Sequence, residues 1–315
     1  MTPRTFRVAT FDGQAIVYDP CSGATRLASR PVPAGRRELD GDEVRGWPLA
    51  HPAGLGLTMP VSVCWSPLVR CNLACPHCLD DTSLTERDAA GRASIGRLIG
   101  ASGVLGVDIS GGEPLLLRDV PELAGCLSAA GCAVSLTTNG WHLARRIGEL
   151  TGPLDAVRVS LDAPDLCRHD ALRGEGSFRR ALDGIAACTR AALPVQIQTV
   201  LMATAARHAQ GIVSLAEATG VSGVTFLQML PFGAANTMAA SEMLSDQAAA
   251  DLIRKLDIPA GLDIRLRTRS AAEGFTVIRA DGRVWRNGAD ARTISAAQRL
   301  TCPGDLAVQG KDGSA

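Results

Sequence analysis

The chain has 315 residues, 46% of them apolar and 20% charged, which is enough to bury a sizeable core and excludes global disorder. Its 32 Lys and Arg balance 32 Asp and Glu, so no net field draws it to nucleic acid or to an anionic membrane. No run approaches the roughly 18 apolar residues of a membrane span, and the opening MTPRTFRVATFDG lacks an apolar signal core.

In chain order, FRVATFDGQAIVYD (6–19) reads as two strands turning at Asp12 and Gly13, a type I′ hairpin signal. The Pro- and Gly-rich WPLAHPAGLGLTMP (47–60) follows as a linker. From residue 61, strand and helix signals alternate. Strand-like runs are VSVCW (61–65), VLGVDIS (104–110), AVSLTT (133–138), AVRVSL (156–161), VQIQTVL (195–201) and VTFLQML (224–230). Helical patterns such as DVPELAGCLSAAG and SFRRALDGIAACTRAAL lie between them, which predicts βαβ units and a parallel sheet. Six such units are too few for a closed eightfold barrel and predict an α/β fold with an open, partial (β/α)6 TIM barrel. A helix near 244–256 is expected next, then a second hairpin in FTVIRADGRVWRNG turning at Asp281 and Gly282, then a frayed tail VQGKDGSA. The expected division is an N-terminal β-hairpin segment and linker (1–58), an α/β core (59–240) and a C-terminal capping segment (241–315). The basic runs RLRTRS and LARRIGEL lack interleaved aromatics and read as solvated faces.

Ten cysteines in a chain without a secretion signal point to a reducing, cytoplasmic setting. Three of them, Cys71, Cys75 and Cys78, crowd into SPLVRCNLACPHCLDD immediately after the first core strand, and clustered thiols in that setting mean metal. The other seven are mostly small packing residues. The spacing C-x3-C-x2-C suits a 4Fe–4S cluster held by three thiolates, with its fourth iron open to another ligand. The alternative is structural zinc, which takes four ligands, with His77 the nearest candidate for the fourth.

Further motifs stand at successive strand ends. DISGGEPLL carries Ser110, Gly111, Gly112 and Glu113, with Gly111 33 residues after Cys78. Its glycines permit close backbone approach, and its carbonyls and carboxylate can accept from an ammonium group. LTTNG carries Asn139, and VRVSLDAP carries Ser160 and Asp162. Together with the cysteine triad, these motifs over residues 60–235 resemble the radical SAM superfamily. The resemblance implies one 4Fe–4S cluster on Cys71, Cys75 and Cys78. It also implies S-adenosylmethionine on the open iron, cleaved after one-electron reduction to a 5′-deoxyadenosyl radical that abstracts hydrogen from a substrate. Gly111, Gly112 and Glu113 are then expected at the methionine amino group, Asn139 at the pocket, and Ser160 at ribose or carboxylate. Arg173 is expected at the methionine carboxylate, where its fork binds in two places. His77 and Leu230 are expected at adenine, and Gln198 and Thr199 as polar cofactor contacts.

The second hairpin resembles the opening of a SPASM extension, but Arg286, Asn287 and Gly288 stand where a cluster-ligating cysteine is expected, so the extension reads as degenerate. The expected substrate is a natural product, either a ribosomal peptide or a small molecule, with a flavodoxin- or ferredoxin-type electron donor. The N-terminal hairpin offers an edge for the addition of a peptide strand. Cys167 and Cys302 are the expected hydrogen donors if the substrate radical is quenched reductively, while Cys126, Cys132 and Cys188 read as packing. A non-catalytic iron–sulfur redox or sensor protein and a zinc-binding module are the competing classes.

Overall fold

The computed structural model describes residues 3–272, 275–288 and 298–308. The tail beyond Val308, where fraying is expected, lies outside them. Strands β1 (Pro3–Phe11), β2 (Gln14–Tyr18), β3 (Thr25–Leu27) and β4 (Gly35–Asp40) form an antiparallel sheet in the order β3-β2-β1-β4. The β1–β2 turn has φ of 45° at Asp12 and 77° at Gly13, the double positive φ of the expected type I′ turn. A short helix, α1 (Gly41–Arg45), follows, capped by the Asp40 carboxylate.

The core strands are β5 (Ser62–Trp65), β6 (Gly106–Ile109), β7 (Ala133–Thr138), β8 (Ala156–Ser160), β9 (Val195–Leu201) and β10 (Gly223–Gln228), each where an apolar run predicts it. The crossovers hold α2 (Ala89–Gly100), α3 (Val120–Ala129), α4 (Leu143–Leu150), α5 (Leu166–Arg173), α6 (Ser177–Arg190) and α7 (Ala209–Thr219). Then come α8 (Ala239–Glu242) and α9 (Asp246–Arg254). Side-chain carboxylates or hydroxyls of Asp88, Asp165 and Ser245 cap α2, α5 and α9, and Gly220 ends α7 in the left-handed region. One face of each strand is apolar. Val107, Ile109, Val134, Leu136, Val157, Val159 and Ile197 pack with Ile99, Leu127, Leu143 and Ile185 of the helices in one fully buried layer. The opposite face lines the inside of the curved sheet.

The sheet continues past residue 240. A seventh parallel strand, β11 (Asp263–Arg267), pairs with β10. On the other edge β12 (Thr276–Ile278) pairs parallel with β5, and β13 (Arg283–Arg286) and β14 (Gln298–Arg299) follow antiparallel. The order is β11-β10-β9-β8-β7-β6-β5-β12-β13-β14, an open partial barrel. The β12–β13 hairpin turns at Gly282, with φ of 81°, as its Asp–Gly pair predicts. Both basic runs differ from expectation. RLRTRS opens with the last residues of β11, and in LARRIGEL the Arg146 guanidinium donates to the carbonyls of Leu115 at 2.8 Å and Leu117 at 2.6 Å. Neither run is simply a solvated face.

The N-terminal sheet closes the barrel at the end where its strands begin. The Tyr18 ring lies where a side chain on Gly106 would stand, 2.0 Å from the position of an added Cβ, and packs with Val61, Leu105 and Ala133. From β8, Arg158 donates to the carbonyls of Pro20 at 2.5 Å and Cys21 at 2.9 Å, and Arg265 donates to that of Ser22. The hairpin is therefore a floor to the barrel, at the opposite end from the cysteine triad.

Candidate active site

The chain leaves β5 at Trp65 and runs through Ser66–Arg70 into the cysteine loop. Two contacts press this loop onto the end of β6. Gly111 has φ of 109°, and a Cβ on it would stand 2.5 Å from the Leu68 carbonyl oxygen. On Gly112 it would stand 2.1 Å from the Arg70 oxygen, closer than any side chain tolerates. The Gly112 N–H donates to Leu68 O at 3.1 Å and the Glu113 N–H to Arg70 O at 2.9 Å. These glycines thus clamp the cysteine loop against the end of β6.

Glu113 is fully buried. Its carboxylate accepts from the Leu115 N–H at 2.9 Å, the Thr138 hydroxyl at 2.7 Å and the Asn139 N–H at 2.8 Å. Burial pushes its pKa up, against these three bonds. In this arrangement Glu113 ties the β6 and β7 ends together. Beside it, Ser110, Gly111 and Gly112 are half-exposed. Asn139 extends the tie, donating from Nδ2 to Asn72 Oδ1 at 2.9 Å and to Cys71 Sγ at 3.8 Å.

A second knot joins the loop to β8. Asp162 is buried and its Oδ2 lies 3.0 Å from His77 Nε2 and 2.5 Å from Arg173 Nε, while Oδ1 accepts from the Val200 N–H at 2.8 Å. Burial opposes the charge on Asp162, but the Arg173 guanidinium and His77 outweigh it and hold the carboxyl far below the usual range. The His169 ring accepts the Asp162 N–H at 3.2 Å through Nδ1. Sequence reasoning left Asp162 without a role and aimed His77 and Arg173 at the ligand. Their common partner is instead an aspartate of the chain itself. A charged residue two positions after the strand-end Ser160 was the available signal.

Ser160 and Gln198 are register partners on β8 and β9, both half-buried, and their side chains make no hydrogen bond among the described residues. They line the inside of the barrel, free to meet a ligand. Thr199 faces the helices and donates to Leu161 O at 2.7 Å, which removes it from the expected contacts. Leu230 packs with Cys64, Phe232, Val277 and Trp285, and the same segment crosses to the cysteine loop, where the Ala235 N–H donates to Cys78 O at 3.2 Å. Cys167 is exposed on α5, about 200° round the helix from the inward His169. The turn after Cys302 is held by Arg286 and Thr58 at the far edge of the sheet. Both expected hydrogen donors, Cys167 and Cys302, are exposed. Cys132 and Cys188 are buried packing residues as expected, while Cys126 is exposed.

Residues 65–205 match the sequence model of the radical SAM superfamily. The chain carries a radical SAM domain. It is 29% identical over 251 residues to a GTP 3′,8-cyclase of Brucella abortus, covering 75% of this chain and 71% of that one. To the PqqA peptide cyclase of Methylocella silvestris it is 31% identical over 204 residues, covering 61% of this chain and 55% of the relative. Among solved structures, Streptococcus suis SuiB bound to precursor peptide SuiA superposes with a TM-score of 0.62 at 15% identity, over 77% of this chain and 63% of SuiB. SuiB bound to S-adenosylmethionine superposes at 0.56 with 16% identity, over 72% and 60%. At these identities the solved structures establish the fold, a partial barrel that is not closed.

The donor set of the radical SAM domain fits an iron–sulfur cube. Among the described residues no three His, Cys, Asp or Glu side chains converge to hold a single ion. A cube asks for something else, since each thiolate ligates its own iron. Burial pushes the Cys75 thiol up to about 11 and the Cys71 and Cys78 thiols in the same direction, so ligation would release protons. Among the described residues, no helix is long and apolar enough to cross a membrane.

Proposed function

We propose that this protein is a radical SAM enzyme in which Cys71, Cys75 and Cys78 hold one 4Fe–4S cluster. S-adenosylmethionine then lies along the backbone of Ser110–Gly112 and the free side chains of Ser160 and Gln198. When bound, the pair supplies a 5′-deoxyadenosyl radical that abstracts hydrogen. The chain's own residues do the positioning. Gly111 and Gly112 press the cysteine loop onto β6, Asn139 and Asn72 lace it to β7, and His77, Asp162 and Arg173 lace it to β8. Leu230 and its neighbours cross the barrel mouth beside the loop, a place suited to excluding water from a reactive intermediate. The substrate is a natural product, a peptide or small molecule, with a flavodoxin- or ferredoxin-type protein as reductant and the cytoplasm as setting.

The observation that carries this reading is the stitching of the triad to three successive strand ends. A mere electron carrier has no need of free polar side chains beside its cluster, which disfavours the redox or sensor alternative. Anaerobic reconstitution should give about four irons per chain, an EPR signal that S-adenosylmethionine alters, and slow release of 5′-deoxyadenosine on reduction without substrate. Tight zinc in place of iron, or a cluster indifferent to S-adenosylmethionine, would sink it.

A further inference from the structure

The inside of the barrel carries charge that the cofactor reading leaves unused. Strand alternation turns Asp108, Arg158, Arg265 and Arg267 inward, because their neighbours Val107, Val159, Ile264 and Leu266 belong to the layer shared with the helices. Arg158 is fully committed. Its guanidinium reaches Asp108 Oδ1 at 2.7 Å, the Ser135 hydroxyl at 3.1 Å and the two floor carbonyls. Asp108 is satisfied in turn, since it also accepts from the hydroxyls of Ser135 at 2.9 Å and Thr137 at 2.8 Å. Arg265 has the Ser22 carbonyl.

Arg267 differs from both. It lies two residues nearer the strand ends, half-buried, and among the described residues its guanidinium has no hydrogen bond or ion pair. What holds it is the ring of Phe275, whose centroid lies 3.8 Å from the guanidinium carbon. Stacking fixes the plane and leaves the fork of N–H donors unused. Burial, together with the neighbouring Arg158, pushes the Arg267 pKa down even though Cys64 and Asp108 oppose the shift, and burial with Arg267 and Arg158 takes Arg265 down to about 10. The carboxylates Asp19 and Asp263 stand at the floor, next to Arg4 and Arg26, and do not fill this need. A bound anion would relieve an unfavourable arrangement, and a neutral group would leave it.

We propose that Arg267, backed by Arg265, anchors an anionic oxygen group of the substrate, a carboxylate or a phosphate, inside the barrel. The word substrate rests on the radical SAM reading above, whereas the anion site does not. Its recognition is a planar, two-pronged contact of the kind guanidinium makes with both groups. The anchor stands on β11, against Phe275, which leads directly into β12, the strand that pairs with β5. A substrate held there by one charged end presents its remainder toward the strand-end site.

The test uses the full chain with its cluster reconstituted and two probes, pyrophosphate and glutarate, titrated by calorimetry. Saturable one-to-one binding of at least one probe is expected, and the preferred probe distinguishes phosphate from carboxylate. Arg267→Gln should weaken it roughly tenfold or more, the loss of a charge-assisted pair, with S-adenosylmethionine affinity unchanged. Arg267→Lys keeps the charge and loses the fork, so it should bind more weakly than the wild type. Wild-type protein that binds neither probe, or either variant binding as the wild type does, would overturn the proposal. So would a parallel loss of S-adenosylmethionine binding, because Arg267 would then be acting through the fold. Release of 5′-deoxyadenosine from the unsubstituted protein tests the underlying reading separately.

Discussion

Replacing Asp162 with Asn removes the charge that ties the cysteine loop to β8 while keeping the side chain's size. Arg173 would lose its only ion-pair partner among the described residues, with its side chain about 11% exposed, and His77 would lose its carboxylate. Stranding a buried charge in this way typically costs about 3–5 kcal/mol, more than the pair itself is worth. Because His77 stands between Cys75 and Cys78, the cost should also appear as a looser cysteine loop. Urea unfolding followed by tryptophan fluorescence measures the first effect, and iron content after anaerobic reconstitution measures the second. The double variant Asp162→Asn with Arg173→Gln should be more stable than Asp162→Asn alone by roughly 1–3 kcal/mol, since no charge is then stranded. Because the Asp162 pKa is depressed, the wild-type stabilisation is complete at neutral pH. It is lost progressively as pH falls from the usual carboxylate range toward the depressed native value. A single variant within about 1 kcal/mol of wild type, or a double variant whose costs simply add, would refute the argument.

Gly112→Ala should lower both stability and iron content, because the added methyl meets the Arg70 and Val69 carbonyl oxygens at 2.1 and 2.5 Å. Gly125→Ala within α3, where nothing lies within 4 Å, should be neutral or stabilise by up to about 1 kcal/mol. Equal effects in the two would show that crowding at Gly112 is relieved without moving the loop. For His169, burial and then Arg173 push the ring down to about 4. The unfolded chain binds its proton below about 6.5 and the folded chain does not until about 4, so stability falls as pH drops through that window. The term is about 2 kcal/mol between pH 7 and pH 5. His169→Asn, whose Oδ1 can still accept the Asp162 N–H, should lose that part of the pH dependence in urea titrations, and an unchanged slope would contradict it.

The sequence alone was sufficient for the six core strands, both hairpin turns and the triad, because each is a local signal. Alternation of apolar runs with helical stretches sets the parallel sheet, two adjacent Asp–Gly pairs set the turns, and the cysteine spacing is contiguous. Strand β11 was legible in principle. DIRLR alternates polar and apolar residues with a period of two, but its arginines read as surface because nothing local says that the inside of this barrel is polar. What only the tertiary structure decided is partnership. Glu113, His77 and Arg173 carry the right chemistry to meet a ligand, yet each is claimed by a group that is distant in sequence or on another element: Asn139, Asp162 and Asp162 again. Cys167 follows the strand end closely in sequence, but the turn of its helix points it outward. Residue type and spacing limit what a side chain can do. Which partner it meets depends on the register of the parallel strands, a long-range property that no short window of sequence contains.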